Sequence, residues 1–508
     1  MIKRAVRKIF PTSSKTGRIL KEVASKVGLA KPWFYSIEYS NWVQNVEPKI
    51  FLPLVKIKKK KAPLFSIIVP FFNTDDKYLS PLMESMLNQS FDDWELIMGD
   101  GSNKPVRSAV IKEVSKQDIR LKYYKFNINT DISGNTNQAL EHAVGEYIVF
   151  CDHDDILSPH ALNEVAAVIT ENEDVDIIYS DEDKIDDKGT WRHSPFFKPD
   201  WSPHLLLYTN YLNHLTVIKR TLVNKEGGLR KELNGSQDYD LLLRVIRRNE
   251  NIKIKHISKI LYHWREAAGS TAAEFSNKSY AFKNGQRALQ EFLDESNING
   301  ETQIINGRPG HYEQILKPSK IKKVAVLARV SENNLENELI LDNFKDLTDS
   351  DSLSIDFVNS LDNEKAYDAV IEINVVAYPE GLDWVDRLVG VLEMPEVDSV
   401  SPRIISTDRL QVVDMGIVRD KSGNEVKLFK GLAVDDATIN GDTRWVRDVD
   451  KLSGNIICRK TKPDGSEKYK VIWSNVDFVH YPVFGHQSFF NSNLMIDEEG
   501  MILPREIS

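Results

Sequence analysis

The stretch from Gly145 to Pro159 constrains this chain more than any other. A short apolar run, Tyr147 to Cys151, is bounded by Gly145 and, further on, by Pro159. Such a run reads as a buried strand of a parallel sheet. Three carboxylates, Asp152, Asp154 and Asp155, follow within four positions, at the C-terminal end of that strand. Open α/β sheets place their ligand crevice outside that end. Carboxylates crowded in this way repel one another unless a cation joins them. Oxygen ligands suit Mg2+ or Mn2+, ions that also bind diphosphates. The bland alternative is a solvated acidic turn leading into a helix that starts near Ser158.

At 508 residues the chain has room for several domains. Its two cysteines, Cys151 and Cys458, are far apart and suggest neither a disulfide framework nor a zinc site. A reducing, cytoplasmic setting is therefore expected. No apolar run has the ~20 residues that a membrane-spanning helix needs, and no signal-peptide core follows the N-terminal Lys3-Arg4. The net charge of −9 hides an asymmetry, because residues 1–61 hold fifteen Lys/Arg and only three Glu. A basic head on an acidic body argues against nucleic-acid binding and fits attraction of the head to an anionic membrane surface.

Residues 1–12 and about 17–29 have the apolar spacing of basic amphipathic helices, which lie on a membrane or pack on the protein itself. Tyr39, Trp42 and Val43 suit either arrangement. A basic linker, Lys56 to Lys61, ends a segment taken as 1–61. From residue 62 strands and helices alternate. Strands are expected at Phe65–Pro70, Trp94–Met98, Leu121–Tyr124, Tyr147–Cys151, Val175–Tyr179 and Ile257–Trp264. Helices are expected at Leu79–Gln89, Val106–Gln117, Asn135–Val144, Asp238–Arg248 (with Ser236 as its N-cap) and Lys278–Glu295. This order implies a doubly wound, mostly parallel α/β sheet over 62–300. Gly and Pro mark 301–320 as a linker. Alternation resumes over 321–508, with strands at Lys323–Leu327, Ala369–Val376 and Val397–Pro402.

Several motifs now stand in order. They are Ile68-Val69-Pro70-Phe71-Phe72-Asn73, Gly99-Asp100-Gly101-Ser102, Asp152-His153-Asp154-Asp155 and Ser180-Asp181-Glu182-Asp183-Lys184. The Phe197-Lys198-Pro199-Asp200-Trp201 loop follows, then Gln237-Asp238-Tyr239-Asp240-Leu241 and Leu261-Tyr262-His263-Trp264-Arg265 with Gly269-Ser270-Thr271-Ala272. Together, over about residues 64–295, they resemble the family 2 glycosyltransferases with the GT-A fold, in particular members that build bacterial surface polysaccharides such as O-antigen. Gly99 stands where that family usually has a first Asp.

The resemblance implies an inverting, metal-dependent transfer of a hexose or deoxyhexose from a UDP- or dTDP-sugar to a growing, lipid-linked glycan. It further implies that Asp155, with Asp154 and His263, ligates Mn2+ or Mg2+. Pro70, Phe72, Asn73, Asp100, Asp152, Asp154 and Arg265 would bind the nucleotide-sugar. His263 and Phe72 also read as packed core residues, and Arg265 as an ion-pair partner. Asp238 matches the position of the general base, with Gln237 where the family usually has Glu. As an alternative, Asp238 and Asp240 only favour the helix N-terminus electrostatically. Trp201, Asp240 and Trp264 are acceptor-side candidates. The enzyme would sit in the cytoplasm, peripheral on the inner face of the membrane.

Val370–Val376 followed by Tyr378-Pro379-Glu380-Gly381-Leu382-Asp383-Trp384 resembles a second, degenerate copy. It carries Glu372-Ile373-Asn374 at the carboxylate positions and has no matched base or histidine. Two other functions compete. One is a non-catalytic glycan-binding scaffold of a polysaccharide assembly complex. The other is a nucleotidyltransferase, disfavoured because Pro70 to Asp76 offers no basic phosphate loop.

Overall fold

The computed structural model describes residues 33–480 and two short strands beyond, apart from 58–59, 104–115, 117, 128–129, 250, 267–278 and isolated positions within 306–309, 420–440 and 463–467. The helices expected at 1–12, 17–29 and Val106–Gln117 and the Gly269–Ala272 motif lie outside the described residues, the single helical position 116 apart.

The first sheet contains β1 (Phe65–Phe71), β2 (Trp94–Asp100), β3 (Leu121–Lys125), β4 (Tyr147–Phe150), β5 (Ile156–Leu157), β6 (Ile177–Ile185), β7 (Arg192–Phe196), β8 (Thr216–Lys219) and β9 (Ile254–Arg265). Their order is β3-β2-β1-β4-β8-β6-β9-β5, with β7 on the side of β6. The β3-β2-β1-β4 half is parallel. Strands β1, β2 and β4 are almost continuously buried, as strands covered on both faces must be, while the edge strand β3 is mostly half-buried. Beyond β4 the sheet is mixed, because β8 runs antiparallel to both β4 and β6. Only four residues long, β8 follows the aromatic stretch that hides it in the sequence.

Gly99 has a packing reason. A Cβ there would lie 2.9 Å from Phe126 Cε2 and 3.0 Å from Ala139 Cβ, so an aspartate cannot occupy the position without displacing both. The flanking helices are α1 (Trp33–Asn45), α2 (Asp76–Leu87), α3 (Asp131–Leu140), α4 (Ala161–Glu171), α5 (Gln237–Arg248) and α6 (Ser279–Glu295). Ser236 precedes α5 but makes no side-chain cap; its hydroxyl donates to Ala281 O at 2.9 Å and ties α6 to the start of α5. Helix α1 packs on the first sheet at β7, with Trp42 edge-on to Phe197.

The stretch expected as a linker is instead a hairpin of β10 (Gly300–Ile304) and β11 (Tyr312–Leu316). It docks on the first half through Tyr312 N–H to Tyr208 O at 2.9 Å and Gln314 Nε2 to Leu207 O at 2.8 Å. Buried side chains on both sides of it, Ile148 and Val326 among them, belong to one continuous core.

The second sheet repeats the strand order and sense of the first from β2 to β5. Its β12 (Lys323–Ala328) pairs in parallel with β13 (Ser354–Val358) and β14 (Ala369–Ile373), as β1 does with β2 and β4. The strand Ile456–Lys460 is antiparallel to β14 and to β16 (Val397–Ser406), as β8 is to β4 and β6. The strand Tyr469–His480 is parallel to β16 and antiparallel to β15 (Ala377–Pro379), as β9 is to β6 and β5. A counterpart to β3 is missing among the described residues. His480 stands opposite Ala377 in the register where His263 stands opposite Ile156. A histidine position is therefore matched in the copy, which the sequence pattern alone did not show.

Candidate active site

Strands β1 and β4 lie side by side, and their C-terminal ends open into a cavity of about 300 Å³. Pro70 ends one wall; Phe150, Cys151 and Asp152 continue β4 into it. Asn213, His214 and Thr216 enter from the start of β8, Gln237 and Asp238 from the first turn of α5, Trp264 from β9 and Tyr280 from α6. Residues far apart in sequence thus converge where an α/β sheet is expected to hold its ligand.

Within the acidic turn the three carboxylates differ. Asp152 is exposed and Asp154 half-buried, whereas Asp155 is fully buried. Asp155 Oδ2 accepts the Tyr262 hydroxyl at 2.5 Å and its Oδ1 accepts Arg265 N–H at 2.7 Å. Burial, then repulsion from Asp152 and Asp154, pushes its carboxyl well up. Burial raises Asp154 as well, with Asp152 adding to the shift and His153 opposing it. Gathering these carboxylates is costly, and a divalent cation would relieve that cost.

His263 lies on β9, and its Nδ1 is 2.5 Å from Asp183 Oδ1. A ring nitrogen held by a carboxylate carries the proton and leaves Nε2 with the lone pair, the usual arrangement behind a metal-bound histidine. An imidazole so held is chemically able to bind a divalent cation, although His263 itself does not line the cavity that its neighbour Trp264 enters. Among the described residues, however, no three His, Cys, Asp or Glu side chains are already gathered around one point.

Asp238 faces the cavity, where the Asn213 side-chain amide donates to it. Burial raises its carboxyl above the ordinary range, partly opposed by the charge of His214. Asp240 does not face the cavity. It is buried and paired with Arg230 and with Arg244, whose Nη2 is 2.8 Å from Oδ2. The helical period turns it away from Asp238, so it is a structural ion-pair partner rather than an acceptor-side group.

Arg265 is 1% exposed, and its Nε donates to Asp154 O at 2.5 Å while Nη1 donates to Asp187 O at 3.1 Å. It clamps the acidic turn to the loop after β6, and its Nη2 is buried with no hydrogen-bond partner among the described residues. Asp100 is also buried; Ser102 N–H and the Tyr123 hydroxyl occupy its oxygens at 2.8 and 2.6 Å. Phe72 is 41% exposed beyond β1. Asn73 follows at φ 52°, with its N–H donating to Ser102 Oγ at 2.8 Å, which joins the loops after β1 and β2. Trp201 is half-buried against the core rather than on the cavity wall.

His214 lines the cavity and is a residue that sequence reasoning missed. Its ring stacks on Tyr262 at 4.7 Å with Nδ1 3.4 Å from Glu182 Oε2, and its backbone N–H donates to that same oxygen at 2.6 Å. Burial pushes its pKa down, but Glu182, Asp152 and Asp155 outweigh that and carry it to about 9. Those carboxylates favour the protonated ring, and His214 lines the same cavity as Asp152 and Asp238. No spacing around Asn213-His214 announced it; only the fold brings it to Asp152.

Apart from the matched histidine position, the second copy has other residues where the acidic turn and its partners stand in the first. Asn374 stands at the end of β14 with its amide on Gly454 O at 2.7 Å, and Glu372 is paired with Arg459. Residues 461–468 alone join the two strands that correspond to β8 and β9, leaving no room for a counterpart of α5.

Residues 66–234 match the sequence profile described as Glycosyl transferase family 2. The chain is 43% identical over 235 residues to the uncharacterized protein y4gI of Sinorhizobium fredii, covering 46% of this chain and 26% of that protein. It is 34% identical over 234 residues to the O-antigen biosynthesis protein RfbC of Myxococcus xanthus, covering 46% of this chain and 18% of that one. The chain thus spans about a quarter or less of the length of these relatives. Among solved structures, S. aureus TarS 1-349 in complex with UDP-GlcNAc is similar at 22% identity and a TM-score of 0.38, covering 45% of this chain and 66% of that one.

Proposed function

We propose that this chain, whose residues 66–234 belong to glycosyl transferase family 2, is an inverting glycosyltransferase acting on a bacterial surface glycan. The donor is a UDP- or dTDP-linked hexose or deoxyhexose, and the acceptor a growing, lipid-linked chain. The name of the Myxococcus xanthus relative, an O-antigen biosynthesis protein, supports that acceptor class. The observation that carries the reading is the shared cavity. Asp152 and Asp238 line one space, with the cationic His214 between the elements that bear them.

In this reading the acceptor hydroxyl enters from the α5 side. Asp238 takes its proton as the new C1–O bond forms and the bond from C1 to the diphosphate oxygen breaks on the opposite face, inverting the anomeric centre. Burial that raises the Asp238 carboxyl makes it a stronger base once ionised. Asp152 and His214 hold the donor side, and Pro70, Phe72 and Asn73 flank the base. Trp264 is the acceptor-side aromatic on the cavity wall.

Mn2+ or Mg2+, when bound, neutralises charge on the departing diphosphate. Asp154 and His263 Nε2 would hold it, while Asp155 braces Tyr262 and Arg265 beneath. The ligand expected at Asp155 moves to Asp154 because both Asp155 oxygens are committed inside the protein. Residues 321–508 act as a non-catalytic copy that binds acceptor or partner. Among the described residues no helix is long and apolar enough to cross a membrane. We assign residues 1–32 the role of holding the enzyme at the inner, anionic membrane face.

Screening a panel of sugar nucleotides for Mn2+-dependent hydrolysis, with Asp238→Asn alongside, tests the activity. Turnover of one UDP- or dTDP-sugar by the wild type is expected. A protein that binds glycans but hydrolyses none of the panel would be the scaffold instead.

A further inference from the structure

The starts of α3, α5 and α6 are tied together at Asn234-Gly235-Ser236. Asn234 Oδ1 accepts the Ser133 hydroxyl of α3 at 2.5 Å, and Asn234 O accepts Asn284 Nδ2 of α6 at 2.8 Å. Ser236 Oγ donates to Ala281 O of α6 at 2.9 Å. Between them Gly235 sits at φ 87°, and a Cβ there would lie 2.6 Å from Ala281 Cβ and 3.2 Å from Tyr280 Cε2. Glycine alone permits both that conformation and that close approach. The Tyr280 ring is thereby seated beside the backbone that leads, three residues on, to Asp238.

Tyr280 and Ile132 line the cavity that also holds Asp152 and Asp238. At 51% and 44% exposed they form its open lip, whereas other apolar lining residues, Ile68 and Leu241 among them, are closed off at 0% and 1%. Trp264 lines the cavity too, but Lys184 Nζ lies over its ring at 4.9 Å and the His214 ring is beside it at 5.9 Å. A half-exposed aromatic ring at a reaction site is a surface for an apolar partner with a polar rim. A pyranose has that form: it can lay its C–H face on the phenol ring while a hydroxyl on its edge points to a carboxylate. Charge narrows the choice of sugar. Among the described residues the cavity presents the carboxylates of Asp152 and Asp238, with His214 as its one basic side chain. A sugar carrying a carboxylate or a phosphate would meet like charges there.

We propose that Tyr280 is the acceptor platform: its ring takes the C–H face of a neutral pyranose at the end of the glycan, with Ile132 on the same lip, and directs one hydroxyl of that sugar to Asp238. Tyr280 lies outside residues 66–234, the matched family region. The proposal rests on the reading of the chain as a glycosyltransferase with Asp238 as its base, and names the class of acceptor for that site.

The test uses the full chain, the sugar nucleotide that the hydrolysis panel identifies, and the methyl glycosides of glucose, galactose, rhamnose, N-acetylglucosamine and glucuronic acid as acceptors. The wild type should transfer to at least one neutral glycoside and not to the glucuronide. Tyr280→Ala should raise the KM for that glycoside about tenfold, the scale of uncovering half an aromatic side chain, and should lower the ratio of transfer to hydrolysis. Tyr280→Phe should restore both, whereas Tyr280→Leu, which keeps apolar bulk without a ring, should not. If no sugar nucleotide is hydrolysed or transferred, the glycosyltransferase reading fails and the platform falls with it. Donor hydrolysis with transfer to the glucuronide alone, or to none of the glycosides, overturns the platform and leaves the donor chemistry standing. So does an unchanged KM in Tyr280→Ala, or a fall in transfer and hydrolysis by the same factor, which would mark a purely structural residue. Should Tyr280→Ala not fold, Tyr280→Leu carries the same expectations.

Discussion

The Tyr262 hydroxyl donates to Asp155 at 2.5 Å and accepts Asp152 N–H at 3.2 Å, so one phenol joins the first and last carboxylates of the acidic turn. Neither Tyr262 nor Asp155 reaches solvent. Asp155 therefore works as a pillar beneath the site, and the accessible carboxylates are Asp152 and Asp154.

Two alanine variants separate these roles. Asp154→Ala should abolish Mn2+-dependent UDP or dTDP binding and leave the unfolding midpoint nearly unchanged. Asp155→Ala strands the Tyr262 hydroxyl and Arg265 N–H in the interior, and should cost roughly 2–4 kcal/mol of stability. Calorimetry of nucleotide binding and denaturant unfolding of both proteins checks the pair. Loss of binding with full stability in Asp155→Ala would return the ligand role to Asp155.

The two carboxylates of α5 should part in the same way. Asp238→Asn keeps donor binding and loses transfer by about 10²–10⁴. Asp240→Asn leaves Arg230 and Arg244 without their shared partner and should cost about 3–5 kcal/mol, the range for breaking a buried pair. Rates and unfolding midpoints measured on both variants decide it. Normal turnover by Asp238→Asn with none by Asp240→Asn would move the base two positions along.

Much of this was legible in the sequence because the relevant signals are local. The run Tyr147–Cys151 with three following aspartates identified both a strand and the edge of a crevice, and the cavity lies there. What the sequence withheld depends on long-range pairing. Asp240 has the same residue type and nearly the same position as Asp238, yet one helical offset decides which meets Arg244 and which meets the cavity. Four residues, Thr216–Lys219, are too short a strand to stand out beside aromatic loops, and they convert a parallel sheet into a mixed one. His214 and Tyr39 acquire meaning only from partners on other elements. The repeat of the first sheet by the second is carried by strand order and sense, which survive after the carboxylates have gone.

His214 gives the protein a distinct pH response. Its pKa rises from 6.5 to about 9 on folding. A histidine raised in this way adds stability that is fully present below its unfolded value and is lost as pH climbs through the folded one. A shift of that size corresponds to something on the order of 3 kcal/mol. The unfolding midpoint of the wild type should therefore fall between pH 6.5 and about 9, and His214→Gln should lack that decline. The same cation holds Asp238 down. The acid limb of the pH–rate profile, already above the ordinary carboxylate range, should move further up in His214→Gln. Identical stability curves and acid limbs for the two proteins would show that His214 is neutral in the fold.

The last prediction divides the N-terminal segment in two. Nine Lys/Arg and one Glu fall within residues 1–32, while residues 33–55 carry the contacts of Tyr39 and Glu47 with the first sheet and of Leu52 and Val55 with α4. The basic head and residues 33–55 thus serve different ends, and removing all of 1–61 would confound them. Basic residues near an anionic bilayer contribute about 1 kcal/mol each, opposed in part by the acidic body. Apolar insertion of the two amphipathic stretches adds a component that salt does not screen. Deleting 1–32 should leave the unfolding midpoint and the Mn2+ affinity unchanged and end sedimentation with anionic liposomes. The full chain should sediment at low salt and only partly at high salt. Deleting 1–55 should in addition lower the midpoint, since it takes Tyr39 and Glu47 from Asp183 and Arg192. A 1–32 deletion that still sediments with liposomes would remove the membrane role from the head.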